Sequence, residues 1–448
     1  MPKLAQRVVT RVAFNYRMTA SARPLIQPPI ELDHAQGPDK GAPCSSRQRG
    51  FRLVLLAASL TFSLLAFLAL DWLHTARLRR HSPLAVGVNP CRIRDAVNHH
   101  ALKPNCASVE YWGTDRYQFF TNSLGFRDER VRDVPLADDR PRILMLGDSF
   151  TEGMIAWPRS FVGRIAGYFP QYDFLNGGLS GYSASNHLEV ARMVLRKGVD
   201  IDEVIVFIDN SQVHYDGAYY RDLDSSGAVT GPEREQSAQS WYTSFRHNIA
   251  GHFLLTSRML RLFDRLQRPL VLHGYYHLPG DYFGDPFDRE MSAWSYRKVN
   301  ETARFPAGYA PLGVEGGIAK SQTKMTLLWQ ELQRRNIPIS VVVYPHLGQL
   351  VYDTADSREV KIWRDWCEGK CKRFISVLPA FYAAKQQCPR TQPGCWYEKL
   401  FVFGDIHYSA GGNALVADAT IKALQEDPPA KRQTQSVPTQ SAAVLSLH

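Results

Sequence analysis

From residue 142 onward, short apolar runs alternate with amphipathic stretches, and this alternation limits the possible folds more than any other feature of the sequence. Segments 142–147 (RILMLG), 172–176 (YDFLN), 203–208 (EVIVFI) and 337–344 (IPISVVVY) are near-continuous apolar runs of strand length, and 374–378 (FISVL) is a fifth candidate. Between and after them, 158–168, 185–197, 318–335 and 410–425 have helical spacing; in 185–197, Leu188, Ala191, Val194 and Leu195 share one face. Strands that are apolar on both faces need cover on both faces. The pattern therefore predicts an α/β fold, a three-layer α/β/α arrangement around a mostly parallel five-stranded sheet. Ligands of such sheets bind outside the carboxyl ends of the strands, so the chemistry should lie there.

Three strand ends and one late segment carry suitable residues. The first strand runs into Gly147-Asp148-Ser149-Phe150-Thr151-Glu152-Gly153, a tight turn that can expose the Ser149 hydroxyl beside the backbone donors of a following helix. Taken alone, the tripeptide reads equally as a helix cap by Asp148 or Ser149. The second strand ends in a glycine-rich loop, Asn176-Gly177-Gly178-Leu179-Ser180-Gly181-Tyr182, where a Gly181 N–H can meet an oxyanion. The third ends in Asp209-Asn210-Ser211-Gln212, and Asn210 offers a side-chain amide or an Asx-turn. In Gly404-Asp405-Ile406-His407-Tyr408, Asp405 and His407 project to one side of an extended segment. The carboxylate can then hold Nδ1–H and leave Nε2 to take a proton from a serine. No second His or Cys stands at ligand spacing beside this pair, so no metal is expected.

The rest of the chain bears on location. Residues 53–70 form an uncharged run of 18 residues, about 27 Å long as a helix against a hydrocarbon core of about 30 Å. Asp71 and Trp72 stand after it as interface residues. About fifty residues precede the run and no small-x-small site comes after it, so it reads as an uncleaved transmembrane anchor over 51–73 rather than a signal peptide. The net charge of +10 is concentrated in residues 1–80; the remainder is nearly balanced and lacks the basic surface of a nucleic-acid binder. Arginines flank the apolar run on both sides (47, 49 and 52; 77, 79 and 80), so charge alone does not orient it. Beyond Cys44, six cysteines (91, 106, 367, 371, 388, 395) fall in close sequence pairs, which suits disulfides in an oxidising compartment; a zinc site at 367, 371, 388 and 395 is the alternative. The organisation expected is a disordered cytoplasmic tail over 1–50, the anchor, a lead-in over 81–135, a domain over 136–426 and a polar disordered tail over 427–448. An insertion at 212–315 carries Tyr215, Tyr219, Tyr220, Trp241, Tyr242, Tyr275, Tyr276, Tyr282 and Trp294, which serve either as a platform for sugar rings or as ordinary packing.

In order and placement, GDSFTEG, NGGLSGYS and GDIHYSAGG resemble the blocks of the SGNH (GDSL-type) hydrolase superfamily, over about 120–425. TNSLGFRD (121–128) looks like the lead-in of its extracytoplasmic, often membrane-anchored members, and YPHLGQL (344–350) also looks familial. The resemblance implies a flavodoxin-like fold with no cofactor. Ser149 matches the nucleophile, Gly181 and Asn210 the oxyanion donors, and Asp405 and His407 the acid and base. The third block, IDNSQ, lacks the glycine and the aspartate usual around its asparagine, and the last is D-x-H where many members have D-x-x-H. The function this resemblance implies is that of an esterase or deacetylase on the periplasmic side of a membrane, acting on an O-acylated envelope carbohydrate or similar small ester. An O-acyltransferase working with a membrane-bound acyl-transfer partner, and a non-catalytic glycan-binding scaffold, are the alternatives.

Overall fold

The computed structural model describes residues 46–81, 90–112, 115–222, 229–230, 252–260, 262–263, 294–295, 309–389, 394–402 and 405–432. The tail expected over 1–50 lies outside these up to residue 45, as do residues 433–448 of the second tail, Cys44, and Trp241, Tyr242, Tyr275, Tyr276 and Tyr282 of the insertion. Two units are distinguished, 1–62 and 63–448. Helix α1, Ser46–His81, contains the apolar run; its stretch Phe51–Leu78 is long and apolar enough to cross a membrane.

The lead-in is more than a linker. A hairpin of β1 (Arg92–Asp95) and β2 (His99–Leu102) is followed by β3 (Ala107–Trp112), β4 (Asp115–Thr121) and β5 (Arg127–Asp128), and these last three join the main sheet as an antiparallel extension. Together with β6 (Arg142–Leu146), β7 (Asp173–Asn176), β8 (Glu203–Ile208), a separate small ribbon of β9 (Arg221–Asp222) and β10 (Val229–Thr230), then β11 (Ile339–Val343) and β12 (Cys371–Ser376), the main sheet has eight strands in the order β12-β11-β8-β6-β7-β5-β4-β3. Five of them, β12 to β7, are parallel, as the apolar runs predict. The other three exceed the five-stranded expectation because they carry no apolar run: β3 and β4 mix charged with aromatic residues, and β5 is only the pair Arg127–Asp128.

Helices cover both faces. They are α2 (Ser149–Glu152), α3 (Phe161–Tyr168), α4 (Ala184–Arg196), α5 (Ser211–His214), α6 (Gly313–Gln333), α7 (Leu347–Tyr352), α8 (Arg358–Cys367), α9 (Leu378–Gln386), α10 (Cys395–Leu400) and α11 (Ala410–Glu426). Successive strand residues serve opposite cores. Leu144, Leu146, Val204, Val206, Val341 and Val343 pack with α4, α6 and α8; Ile143, Met145, Ile205, Phe207 and Val342 pack with α3, α9 and α11. Three disulfides join the close pairs: Cys91–Cys106, Cys367–Cys371 and Cys388–Cys395, so the zinc alternative falls.

One set of buried ion pairs lies at the amino ends of the parallel strands, away from the candidate site. Buried Arg142 pairs with Asp173 at 2.7 Å, and Glu203 pairs with Arg373. Residues 427–432 are held here, not loose as expected: the Arg432 N–H donates to Asp202 at 2.7 Å and Lys431 Nζ reaches Asp200 at 2.6 Å.

His187, on the buried side of α4, is fully enclosed, and burial pushes its imidazole down to about 3. An unfolded His titrates near 6.5, so between about 6.5 and 3 the unfolded chain binds the extra proton and stability falls as pH drops through that window. Thermal unfolding between pH 7 and 4 should show this decline, and His187→Leu should flatten it; an equally steep acid limb in the variant would assign the decline to other groups.

Candidate active site

The parallel strands run in the flavodoxin-like order, and the direction of winding reverses between β6 and β8, so their carboxyl ends open a crevice there. Ser149 comes directly after β6 at the start of α2, half-buried, and the Asp148 side chain accepts the Phe150 N–H at 2.9 Å to cap that turn. His407 Nε2 lies 2.7 Å from Ser149 Oγ, and Nδ1 lies 2.5 Å from Asp405 Oδ1. The fold thus brings the serine to a histidine 258 positions away in sequence.

The D-x-H spacing works by a different local geometry from the extended segment expected. Asp405 Oδ1 also accepts the His407 N–H at 2.9 Å, which closes a bend of the Asx type. The bend is secured by a bridge between Phe401 and Tyr408, and by Val402 N–H donating to the His407 carbonyl at 2.8 Å. Phe150 packs against the imidazole, with ring centroids 4.9 Å apart. A carboxylate that holds both the backbone and the ring of His407 fixes the imidazole's orientation without an additional intervening residue.

Beneath the serine lies a buried acidic pair. Asp148 is 2% exposed and takes a 2.7 Å hydrogen bond from the Tyr344 hydroxyl. Burial first, and then the neighbouring Asp209, raise its carboxyl well above the usual range. Asp209 accepts from the Ser211 N–H at 2.9 Å and the Ser211 hydroxyl at 2.6 Å. Tyr344 opens the YPHLGQL segment, whose Gln349 donates to buried Glu359 at 2.8 Å.

Gly181 has φ +77°, a left-handed conformation that favours glycine, and among the described residues no acceptor takes its N–H. Its carbonyl accepts from the Tyr220 hydroxyl at 2.8 Å. Asn210 is fully buried; its Nδ2 lies 3.5 Å from Ser295 Oγ and its carbonyl accepts from Trp294 Nε1 at 2.9 Å. The insertion's residues 294–295 therefore back the third strand end.

Motif and pattern do not reveal the residues that hold the Gly181 loop. Glu152, completely buried, accepts the Ser180 N–H at 2.8 Å and pairs with Arg92 of β1 at 2.5 Å. His100 of β2 lies 2.7 Å from the Ser180 carbonyl, and the Tyr182 hydroxyl donates to the His100 carbonyl at 2.7 Å. Arg127, buried near the end of TNSLGFRD, donates to the Glu152 carbonyl at 2.5 Å and to the Ile155 carbonyl. The turn that aims it needs Gly125, where a Cβ would meet the Leu102 carbonyl oxygen at 2.4 Å. The glutamate inside GDSFTEG was the one available signal, since a charged residue between two glycine turns and close to the nucleophile needs a partner.

His99, His100, Tyr182, Tyr215, Tyr219 and Tyr220 form a contiguous aromatic group beside Gly181, with Tyr215 ring atoms 3.7 Å from the position a Gly181 Cβ would take.

No protein-family model matches this chain, and no curated protein matches it. Solved structures do, at low identity. A lipolytic protein of the G-D-S-L family from Veillonella parvula is 13% identical, with a TM-score of 0.32, over 63% of this chain and 98% of that one. An Axe2 catalytic mutant, an acetylxylan esterase from Geobacillus stearothermophilus, is 11% identical, with a TM-score of 0.34, over 67% of this chain and 100% of that one. The psychrotrophic esterase EstA from Pseudoalteromonas sp. is 10% identical, with a TM-score of 0.30, over 64% and 97%.

Losing the charge-assisted bond that the Ser180 N–H donates to Glu152 should cost about 1.5–3 kcal/mol, or roughly 10–100-fold. Glu152→Ala is expected to lower kcat for a simple acetyl ester by that factor with KM little changed, and Glu152→Gln to recover part of it. A KM effect alone would show that Glu152 does not position the loop for catalysis.

Proposed function

We propose that this chain is an SGNH-type serine esterase or deacetylase, anchored to a membrane by α1, with its catalytic domain outside the cytoplasm. The observation that carries this is the hydrogen-bonded run from Ser149 through His407 to Asp405, with both contacts at hydrogen-bonding distance. In this reading His407 Nε2 removes the Ser149 proton as Oγ attacks the ester carbonyl, and Asp405 stabilises the imidazolium. The oxyanion rests on the N–H groups of Ser149 and Gly181, with the Asn210 amide as third donor. His407 then returns the proton to the departing alcohol, and a water activated by the same imidazole releases the acid.

The partly exposed Tyr215 and Tyr219 beside Gly181 support an O-acylated carbohydrate as substrate, because sugar rings present apolar faces that stack on such side chains. Three disulfides support an oxidising compartment for the domain. Transfer of the acyl group to a second hydroxyl uses the same intermediate and differs only in what replaces water.

Ser149→Ala should abolish hydrolysis of an acetyl ester and labelling by a fluorophosphonate. Wild-type protein that stays unlabelled would sink the catalytic reading. Asn210→Ala should retain labelling and lose about 100-fold in kcat, near 3 kcal/mol for one oxyanion donor; an unchanged rate would remove Asn210 from the site.

A further inference from the structure

Asp71 stands one residue past the uncharged run, yet it is 1% exposed. Its partners explain this. A short helix over 254–260, with 262–263 also helical, begins at its carboxylate. Leu255 N–H donates to Oδ1 at 2.9 Å, and Thr256 N–H and hydroxyl donate to Oδ2, each at 2.8 Å. Leu254 N–H donates to Thr75 Oγ1 at 2.9 Å, one turn along α1 from Asp71. One helix thus supplies the N-terminal cap of another, and Leu254 and Ser257 are buried on the docked side.

The other side is apolar and uncovered. Leu255, Met259, Leu262 and Phe263 recur at i, i+4, i+7 and i+8 and are 39%, 62%, 56% and 57% exposed. Exposed Arg258 flanks this stripe, and α1 adds exposed Trp72 and Leu73 at the same level. In water this would be a costly cluster of large apolar side chains. At the depth of Asp71, where the uncharged run ends and headgroups begin, it has a solvent that fits: acyl chains for the stripe and lipid phosphates for the arginine.

We propose that the helix over 254–260, with helical residues 262–263, forms a second membrane contact, lying in the headgroup region of the leaflet in which α1 ends and held there by Asp71 and Thr75. The inference rests on the anchoring role given to α1 above. Its consequence is orientational: a single spanning helix leaves a domain free to tilt, whereas a surface helix docked to it adds a second contact with the bilayer.

The test uses the full chain with Cys44→Ser, in nanodiscs of phosphatidylethanolamine and phosphatidylglycerol. A single environment-sensitive fluorophore is attached at Met259→Cys, Leu262→Cys, Leu60→Cys or Lys422→Cys, with ester hydrolysis checked for each. Quenching by headgroup-region nitroxide lipids at 259 and 262 is expected to exceed that at 422 at least threefold, with little quenching by aqueous iodide. Iodide quenching at 259 and 262 equal to that at 422, with Leu60 in lipid, overturns the inference and leaves the anchor standing. A label at 60 that also lies in water overturns the anchor, and this inference with it. Labels at 259 shielded from both quenchers, with cross-linking between copies through Met259→Cys, overturn the lipid contact in favour of self-association.

Discussion

Parallel strands must be joined by crossovers, so every connection leaving β6, β7 and β8 emerges at the same end of the sheet. That constraint makes the site possible. Ser149, Gly181 and Asn210 lie in three separate loops, and only the shared polarity of their strands brings the loops to one edge. The reversal of winding between β6 and β8 then parts two of those loops and leaves room for a substrate. The opposite end of the same strands holds the ion pairs of Arg142, Asp173, Glu203 and Arg373, so the groups that lock the sheet do not compete electrostatically with those at the serine.

A parallel core places loops but does not fix their conformation, and that task falls to the lead-in. Gly181 adopts a left-handed backbone inside a turn that the Tyr182 N–H closes on the Leu179 carbonyl at 3.0 Å, and contacts from outside the loop add to it. Glu152 from the nucleophile turn, Arg92 and His100 from the β1–β2 hairpin, and Tyr220 from the start of the insertion each grip a backbone group of Ser180 or Gly181, directly or through one partner. Because Glu152 belongs to the same short turn as Ser149, the serine and the Gly181 loop are referenced to one carboxylate. The Cys91–Cys106 bridge ties the ends of the hairpin that delivers Arg92 and His100, which gives a covalent link a role close to the site.

The parts legible in the sequence were those governed by local pattern. Five parallel strands declare themselves because a strand buried on both faces must be apolar throughout, and the serine, glycine and asparagine turns are located from their ends. Strands β3 to β5 were unreadable because β3 and β4 mix charged with aromatic residues and β5 is a single Arg-Asp pair, and Arg127 does its work through burial that no run of hydrophobicity announces. The spacing of Asp405 and His407 was readable, but the reason it works was not. An Asx bend and an extended segment can both bring the two side chains together, and only the hydrogen bond from the His407 amide separates them. Asn210 marks the limit of motif reading: its block departs from the usual pattern, and its position depends on Trp294 and Ser295, eighty-odd residues away in a segment whose sequence shows no period.

The buried acid beneath the serine is a product of the same geometry. Asp148 is needed as a cap, because its oxygen satisfies the Phe150 N–H in a turn too tight for water. The winding that opens the crevice also sets Asp209, at the end of β8, beside it. Two carboxylates enclosed together cannot both hold a charge at modest cost, and burial first and then Asp209 raise the Asp148 carboxyl well above its ordinary range. Tyr344, from the end of β11, then donates to that carboxyl and ties a third strand end to the pair. Convergence of the strands thus caps the Ser149 turn with an acid whose carboxyl burial holds well above its ordinary range.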